Sequence, residues 1–176
     1  YLKWDFNRPF SEPGALNLPQ ENQRFIWYQH TLSLYEIVDK LKKRFPHVAI
    51  EACASGGGRI DYGCIKHFDQ FWTSDNTDAP DRLTIQEGYS MVYPTNTMRA
   101  WVTDCPNFTN KHTIPLKYRF HCAMMGTLGI GGNLNNWSKN EIDEAKGYIE
   151  QYKKLREIIQ YGKQYRISSI DSGIAS

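Results

Sequence analysis

One unit recurs along this sequence: a short apolar run, a loop, then a longer stretch with helical spacing, five times in 176 residues. Strands separated by helices do not pair as hairpins. Each helix carries the chain back so that the next strand runs parallel to the last, which restricts the chain to an α/β architecture. Strands are expected at LKWDFN (2–7), HVAIEACA (47–54), QFWTSD (70–75), MRAWVTD (98–104) and TLGIGGNL (127–134), and helices over residues 23–44, 76–93, 115–125 and 139–161. Five units exceed a half domain and fall short of the eight that close a barrel. An incomplete (β/α)8 barrel is the economical reading, and an open doubly wound sheet is its competitor.

The helices carry their own punctuation. His30, Leu34, Ile37, Val38, Leu41 and Phe45 form one apolar stripe that Pro46 ends, with His30 read as a packed helix residue. Pro80 fits a first helical turn, and Asp78 and Asp81 sit where the helix dipole favours negative charge, so both read as caps. Ser138 and Glu141 make a capping box for the last helix, which Gly162 closes. The tail from residue 164 is a strand start or a frayed end.

A formal charge of only +2 with scattered basic residues argues against nucleic acid or an anionic membrane as the main partner. No apolar run approaches spanning length and no leader opens the chain. The sequence starts without Met on an expected buried strand, which places the true N-terminus elsewhere. Five Trp and eleven Tyr suit flat, hydroxylated ligands as well as packing. Cys53, Cys64, Cys105 and Cys122 form no CxxC pair, so neither zinc nor a disulfide framework is indicated, and free thiols in a reducing, cytoplasmic compartment are expected.

Reactive residues gather at strand C-terminal ends, where parallel α/β folds place their sites. In LKWDFN, strand alternation sends Leu2, Trp4 and Phe6 to one face and Lys3, Asp5 and Asn7 to the other. Lys3 favours an ionised Asp5, which is either a salt-bridge member, the commoner case, or a nucleophile. In the second strand Val48, Ile50, Ala52 and Ala54 face helices, leaving Glu51 and Cys53 on the other side. SGGGR at 55–59 is a sharp turn whose amides either point at a ligand oxygen or serve the turn alone. Asp75, beside Trp72 and Phe71, has apolar neighbours that favour its protonated form.

LKWDFNR, EACASGGGRIDYG, QFWTSDNTDAPDRLTIQEGYSMVYP, VTDCPN and PLKYRF, in that order and spacing, resemble the family 36 glycoside hydrolases, the family of microbial α-galactosidases. The resemblance runs from residue 1 to about 166. It implies that residues 1–164 supply strands four to eight of a (β/α)8 catalytic barrel and that 165–176 lead towards a further β-domain. It also implies that Asp5 is the catalytic nucleophile and Asp75 the acid/base. Lys3 would bond sugar hydroxyls, Cys53 and Gly56 would line the pocket near the galactose 2-hydroxyl, and Trp72 would wall the acid/base. The intact enzyme would act on α-galactoside sugars as a homo-oligomer, without a cofactor or metal. Phe6 stands where Met is common, a conservative change. Trp101 stands where many members have His, a change that bears on the leaving group.

A retaining glycosidase uses one ionised carboxyl to attack the anomeric carbon and one protonated carboxyl to assist the leaving oxygen, the roles expected of Asp5 and Asp75. Hydrolysis of melibiose- or raffinose-type sugars is the leading expectation. Galactosyl transfer and α-N-acetylgalactosamine specificity are close variants. Two readings of another class are an inactive barrel fragment with unpaired sheet edges and an aromatic-rich sugar-binding module.

Overall fold

The computed structural model describes residues 1–7 and 11–167. They form two compact units, one over Tyr1–Gln70 and one from Phe71 onward. The part of the tail beyond residue 167 lies outside the described residues, and with it the expected strand start.

In the first unit, β1 (Leu2–Asp5) runs parallel to β2 (Ile50–Cys53), in the register Leu2 to Ile50, Lys3 to Glu51, Trp4 to Ala52 and Asp5 to Cys53. The helix α1 (Ile26–Arg44) connects them. It stops where Pro46 disfavours a helical Phe45, whose φ and ψ are −131° and 67°, and its last turn holds Lys42, Lys43 and Arg44 against the negative end of the dipole. Lys42 Nζ reaches Asp69 Oδ1 at 2.7 Å, and the Asp69 carboxylate accepts the Ile50 amide at 2.8 Å. The helix is thereby tied to the start of β2.

The two strands of this unit differ in burial, and the expectation of a buried first strand fails. All four residues of β2 are buried, so Glu51 and Cys53 lie as deep as Ile50 and Ala52, as in a parallel strand covered on both faces. The first strand is the opposite case: Leu2 is 40% exposed and Phe6 46%. Of the α1 stripe only Val38 is buried, while Ile37 and Phe45 are exposed, so no element of this unit closes over the stripe. His30 lines an apolar cavity of about 230 Å3 with Trp4, Phe6, Leu34 and Ile37, and stacks on the Phe6 ring.

In the second unit, β3 (Gln70–Trp72), β4 (Met98–Val102) and β5 (Thr127–Ile130) run parallel in chain order. They alternate with α2 (Ala79–Val92), α3 (Leu116–Ala123) and α4 (Lys139–Tyr161). Ala100 and Val102 of β4 point into a core with Leu116, Phe120, Ala123 and Ala145, Met98 is buried on the same face of the strand, and Arg99 and Trp101 take the other face. The third strand ends at Trp72 and not at Asp75. Side chains capture the backbone there: Ser74 Oγ accepts the Asn76 amide at 3.1 Å, and Asn76 Oδ1 accepts the Asp78 amide at 3.0 Å. Those turns also delay α2 to Ala79. At the other end of the unit the expected capping box is complete, with Ser138 and Glu141 satisfying each other's backbone amides. Among the described residues no helix is long and apolar enough to cross a membrane.

Candidate active site

At the C-terminal end of β1, Asp5 stands in register with Cys53 of β2. The Cys53 thiol, 2% exposed, lies beside the Asp5 carboxylate. Burial pushes this thiol above its ordinary pKa and the neighbouring Asp5 adds to the rise, against the opposing pull of the Gly56 amide and of Lys3. Cys53 is therefore a neutral thiol near pH 7 and not a thiolate.

One register step back, Lys3 Nζ lies 3.4 Å from Glu51 Oε1, and the Tyr1 hydroxyl donates to Glu51 Oε2. Glu51 has no exposed surface. A buried carboxylate needs a cation, so the ammonium of Lys3 is shared between Glu51 and the field around Asp5 and Cys53. The sequence reading placed Glu51 on this face without giving it a part. The signal was available, since strand alternation puts it beside Lys3.

The described amides of the SGGGR turn bond within the protein. Ser55 has φ 48° and Gly56 φ 78°, the left-handed region that favours glycine. A Cβ on Gly58 would sit 2.6 Å from the Ala54 carbonyl oxygen, so that position has no room for a side chain. The Ala54 and Gly58 amides bond within the turn, and the Ser55 amide donates to Asn7 Oδ1 at 2.6 Å. The Gly56 amide reaches the Cys53 sulfur. Arg59, which closes the turn, donates from Nη1 to the carbonyls of Cys53 (2.8 Å) and Trp4 (3.4 Å) and from Nη2 to that of Phe6 (2.8 Å). One guanidinium thus holds both strand ends around Asp5. The first unit brings together four of the expected site residues: Lys3, Asp5, Cys53 and Gly56.

The second unit brings together the other two, Trp72 and Asp75. The buried Trp72 donates its indole N–H to Asp75 Oδ1 at 2.9 Å. The Asp75 carboxyl itself is exposed, not enclosed by aromatic rings as its sequence neighbours suggest, because the chain turns outward after β3. It borders a cavity of about 460 Å3 lined also by Thr77, Trp101, Thr103, Asp104 and Phe108. Arg82, 4% exposed, packs 5.3 Å over the Trp72 ring and donates to the carbonyls of Ser74 (3.3 Å) and Arg99 (2.9 Å). Burial lowers its pKa to about 10, so it is still a cation at neutral pH. Sequence reasoning missed this residue, which fixes both the ring and the backbone that present Asp75.

Of the two expected caps, Asp81 accepts from Asn76 Nδ2 at 2.8 Å. Asp78 occupies the N-cap position with no side-chain cap bond. It is buried and faces His112 Nδ1 at 3.2 Å, so its tertiary partner replaces the local one. Among the described residues no group of three or more His, Cys, Asp or Glu is placed to hold a metal ion.

Comparison with known proteins gives one consistent answer. Residues 1–162 match the Melibiase family. The α-galactosidase AgaA of Geobacillus stearothermophilus is 41% identical over 96% of this chain, and Mel36A of Lactobacillus acidophilus is 39% identical over 96%. The chain spans about 23% of the length of each of these relatives. The crystal structure of the GH36 α-galactosidase AgaA superposes with a TM-score of 0.93, covering 97% of this chain and 24% of that one. Related crystal structures hold raffinose, stachyose and 1-deoxygalactonojirimycin. The parallel βα units described above are part of a (β/α)8 barrel of this kind.

Proposed function

We propose, for a chain that belongs to the melibiase family, that the whole protein is a retaining α-galactosidase that removes terminal α-linked galactose from melibiose- and raffinose-type oligosaccharides. Asp5 is the nucleophile and Asp75 the acid/base. The observation that supports this reading is the different surroundings of the two carboxyls, both of which are exposed. Asp5 ends β1 opposite the buried Cys53 thiol, two residues after Lys3. Asp75 is exposed at the rim of a cavity sized for a small ligand, and is oriented by an indole N–H. A nucleophile must be fixed and ionised, whereas an acid/base must reach first the leaving group and then water.

In the first step Asp5 attacks the anomeric carbon while Asp75 gives its proton to the departing oxygen. In the second, Asp75 takes a proton from water, which attacks the galactosyl-aspartate and restores the α configuration. Lys3, Cys53 and Gly56 line the galactose side of this reaction in our reading, with Glu51 holding Lys3 in place. The four cysteines are free thiols, which supports a reducing compartment for the protein.

The test uses the whole protein and a fluorinated α-galactosyl fluoride that forms the covalent intermediate faster than it is hydrolysed. Peptide mapping should find the label on Asp5. An active enzyme labelled at another residue would end the assignment. Asp75→Ala should lower kcat on unactivated oligosaccharides by about 10²–10⁴-fold. Added azide should then yield the α-galactosyl azide, and a β product would mean that the two roles are reversed.

A further inference from the structure

We infer that Thr77, Asn107 and His112 are positioning residues for Asp75: the loop between β4 and α3 grips the far side of the turn that presents this carboxyl. The inference rests on the acid/base reading of Asp75 and concerns what holds that acid in place. Asp75 lies on the turn of residues 73–78, between β3 and α2. A general acid must come within hydrogen-bond reach of the oxygen it protonates, and a misplacement of about 1 Å can cost on the order of 10²-fold in rate. An exposed carboxyl on a turn therefore needs its backbone held on both sides. On the near side, Trp72 donates to Asp75 Oδ1 and Arg82 holds the Ser74 carbonyl. On the far side, Thr77 and Asp78 are held from another part of the chain.

Two side chains of one loop reach them. Asn107 is 5% exposed, and both ends of its amide are committed. Its Oδ1 accepts the Thr109 amide at 2.9 Å, which leaves Nδ2 to donate to Thr77 Oγ1 at 3.1 Å. A backbone N–H only donates, so the orientation of this amide is determined. The loop is also closed on itself: the Asn107 amide donates to the His112 carbonyl, and the Lys111 amide to the Asn107 carbonyl, each at 2.9 Å. That closure brings His112 level with Asn107, and His112 Nδ1 lies 3.2 Å from Asp78 Oδ2. The Asp78 side chain has no exposed surface, and its Oδ1 is buried without a hydrogen-bond partner among the described residues. Donation to this carboxylate falls on His112. Stripping a buried carboxylate of its donor is destabilising, so the contact resists opening. The two contacts fall on adjacent residues just beyond Asp75, and each is made by a group with a reason to stay where it is.

The experiment measures kcat/KM of the whole protein on phenyl and dinitrophenyl α-galactosides. Both present an aryl ring, but phenoxide needs a proton to leave and dinitrophenoxide does not, so the ratio between them reads proton delivery. Thr77→Val removes the acceptor of Asn107 with little change of shape, and His112→Ala removes the donor to Asp78. Each should lower kcat/KM on the phenyl galactoside about tenfold and on the dinitrophenyl galactoside by less than about threefold. Thr77→Ser, which keeps the hydroxyl, should recover most of the loss and guards against misfolding of the valine variant. Equal losses on the two substrates would mean that the loop supports the fold and not the acid, and no loss on the phenyl galactoside would mean that the turn holds without it. Either result overturns the inference. Asp75→Ala should show the same selectivity to a larger degree. If it lowers both substrates equally, the acid/base reading itself fails and takes these positioning roles with it.

Discussion

At the residue scale the candidate site depends on two arginines that bond to backbone. Arg59 gathers the carbonyls of Trp4, Phe6 and Cys53, and Arg82 those of Ser74 and Arg99. Each fixes the chain on which a proposed catalytic carboxyl sits, so each is a positioning residue. Arg59→Met leaves three carbonyls to find water or nothing, and hydrogen bonds to a charged donor contribute about 1.5–3 kcal/mol each. We expect this variant to unfold at lower temperature and, below that temperature, to lose kcat at least tenfold with a smaller change in KM. Arg59→Lys, which reaches fewer carbonyls, should fall between. A variant that melts earlier but retains full kcat would show that Arg59 supports the fold without placing Asp5. The carboxyls, the lysine and the glycine turn were legible in the sequence because their spacing carries the information. The arginines were not, because their partners are carbonyl oxygens whose positions no side-chain pattern records.

Among the elements, α4 shows what local signals determine and α2 what they do not. Ser138 and Glu141 form the reciprocal cap their spacing predicts. The Ser138 backbone amide and hydroxyl hold the Glu141 carboxyl below its ordinary 4.5. A carboxyl depressed by folding stabilises the fold above its unfolded pKa, and that contribution is lost as pH falls through the folded value. Ser138→Ala should therefore lower the melting temperature near neutrality, and the gap between variant and wild type should narrow as the pH drops below the usual carboxyl range. Thermal unfolding of both proteins across that range measures it, and a gap that stays constant would show that the Ser138 hydroxyl does not hold the Glu141 carboxyl. The same logic applied to Asp78 at the start of α2 failed. Its side chain faces His112 instead of the helix amides, and that partner lies 34 residues on. The end of β3 was misplaced for a related reason, since Ser74 and Asn76 offer the backbone bonds that compete with a strand. Strand and helix existence follows from periodicity, whereas element ends follow from whichever polar side chain reaches an amide first.

On the scale of the whole molecule, the first unit leaves apolar surface that none of its own elements closes over. Phe6, Trp27, Ile37 and Phe45 are each 45–48% exposed, and α1 buries only Val38. Phe6 and Ile37 line one apolar cavity with Trp4, His30 and Leu34, and an exposed apolar patch is where a folded protein meets another part or partner. The chain spans about 23% of the length of the relative AgaA, and a protein of that length would have further chain to cover such a surface. The consequence is testable with the 176 residues alone. Without cover, apolar residues beside β1 destabilise the strand that carries Asp5, and an unpaired strand edge invites association. The isolated chain should bind a hydrophobic dye strongly and associate in a concentration-dependent way. It should release no galactose from raffinose under conditions where the whole protein does. Size-exclusion chromatography and dye fluorescence read the first two, and a galactose assay reads the third. If a monodisperse sample of the isolated chain were active, with the activity abolished by Asp5→Ala, then the strand end is rigid without outside support, and the positioning attributed to Arg59 and Glu51 would be sufficient by itself.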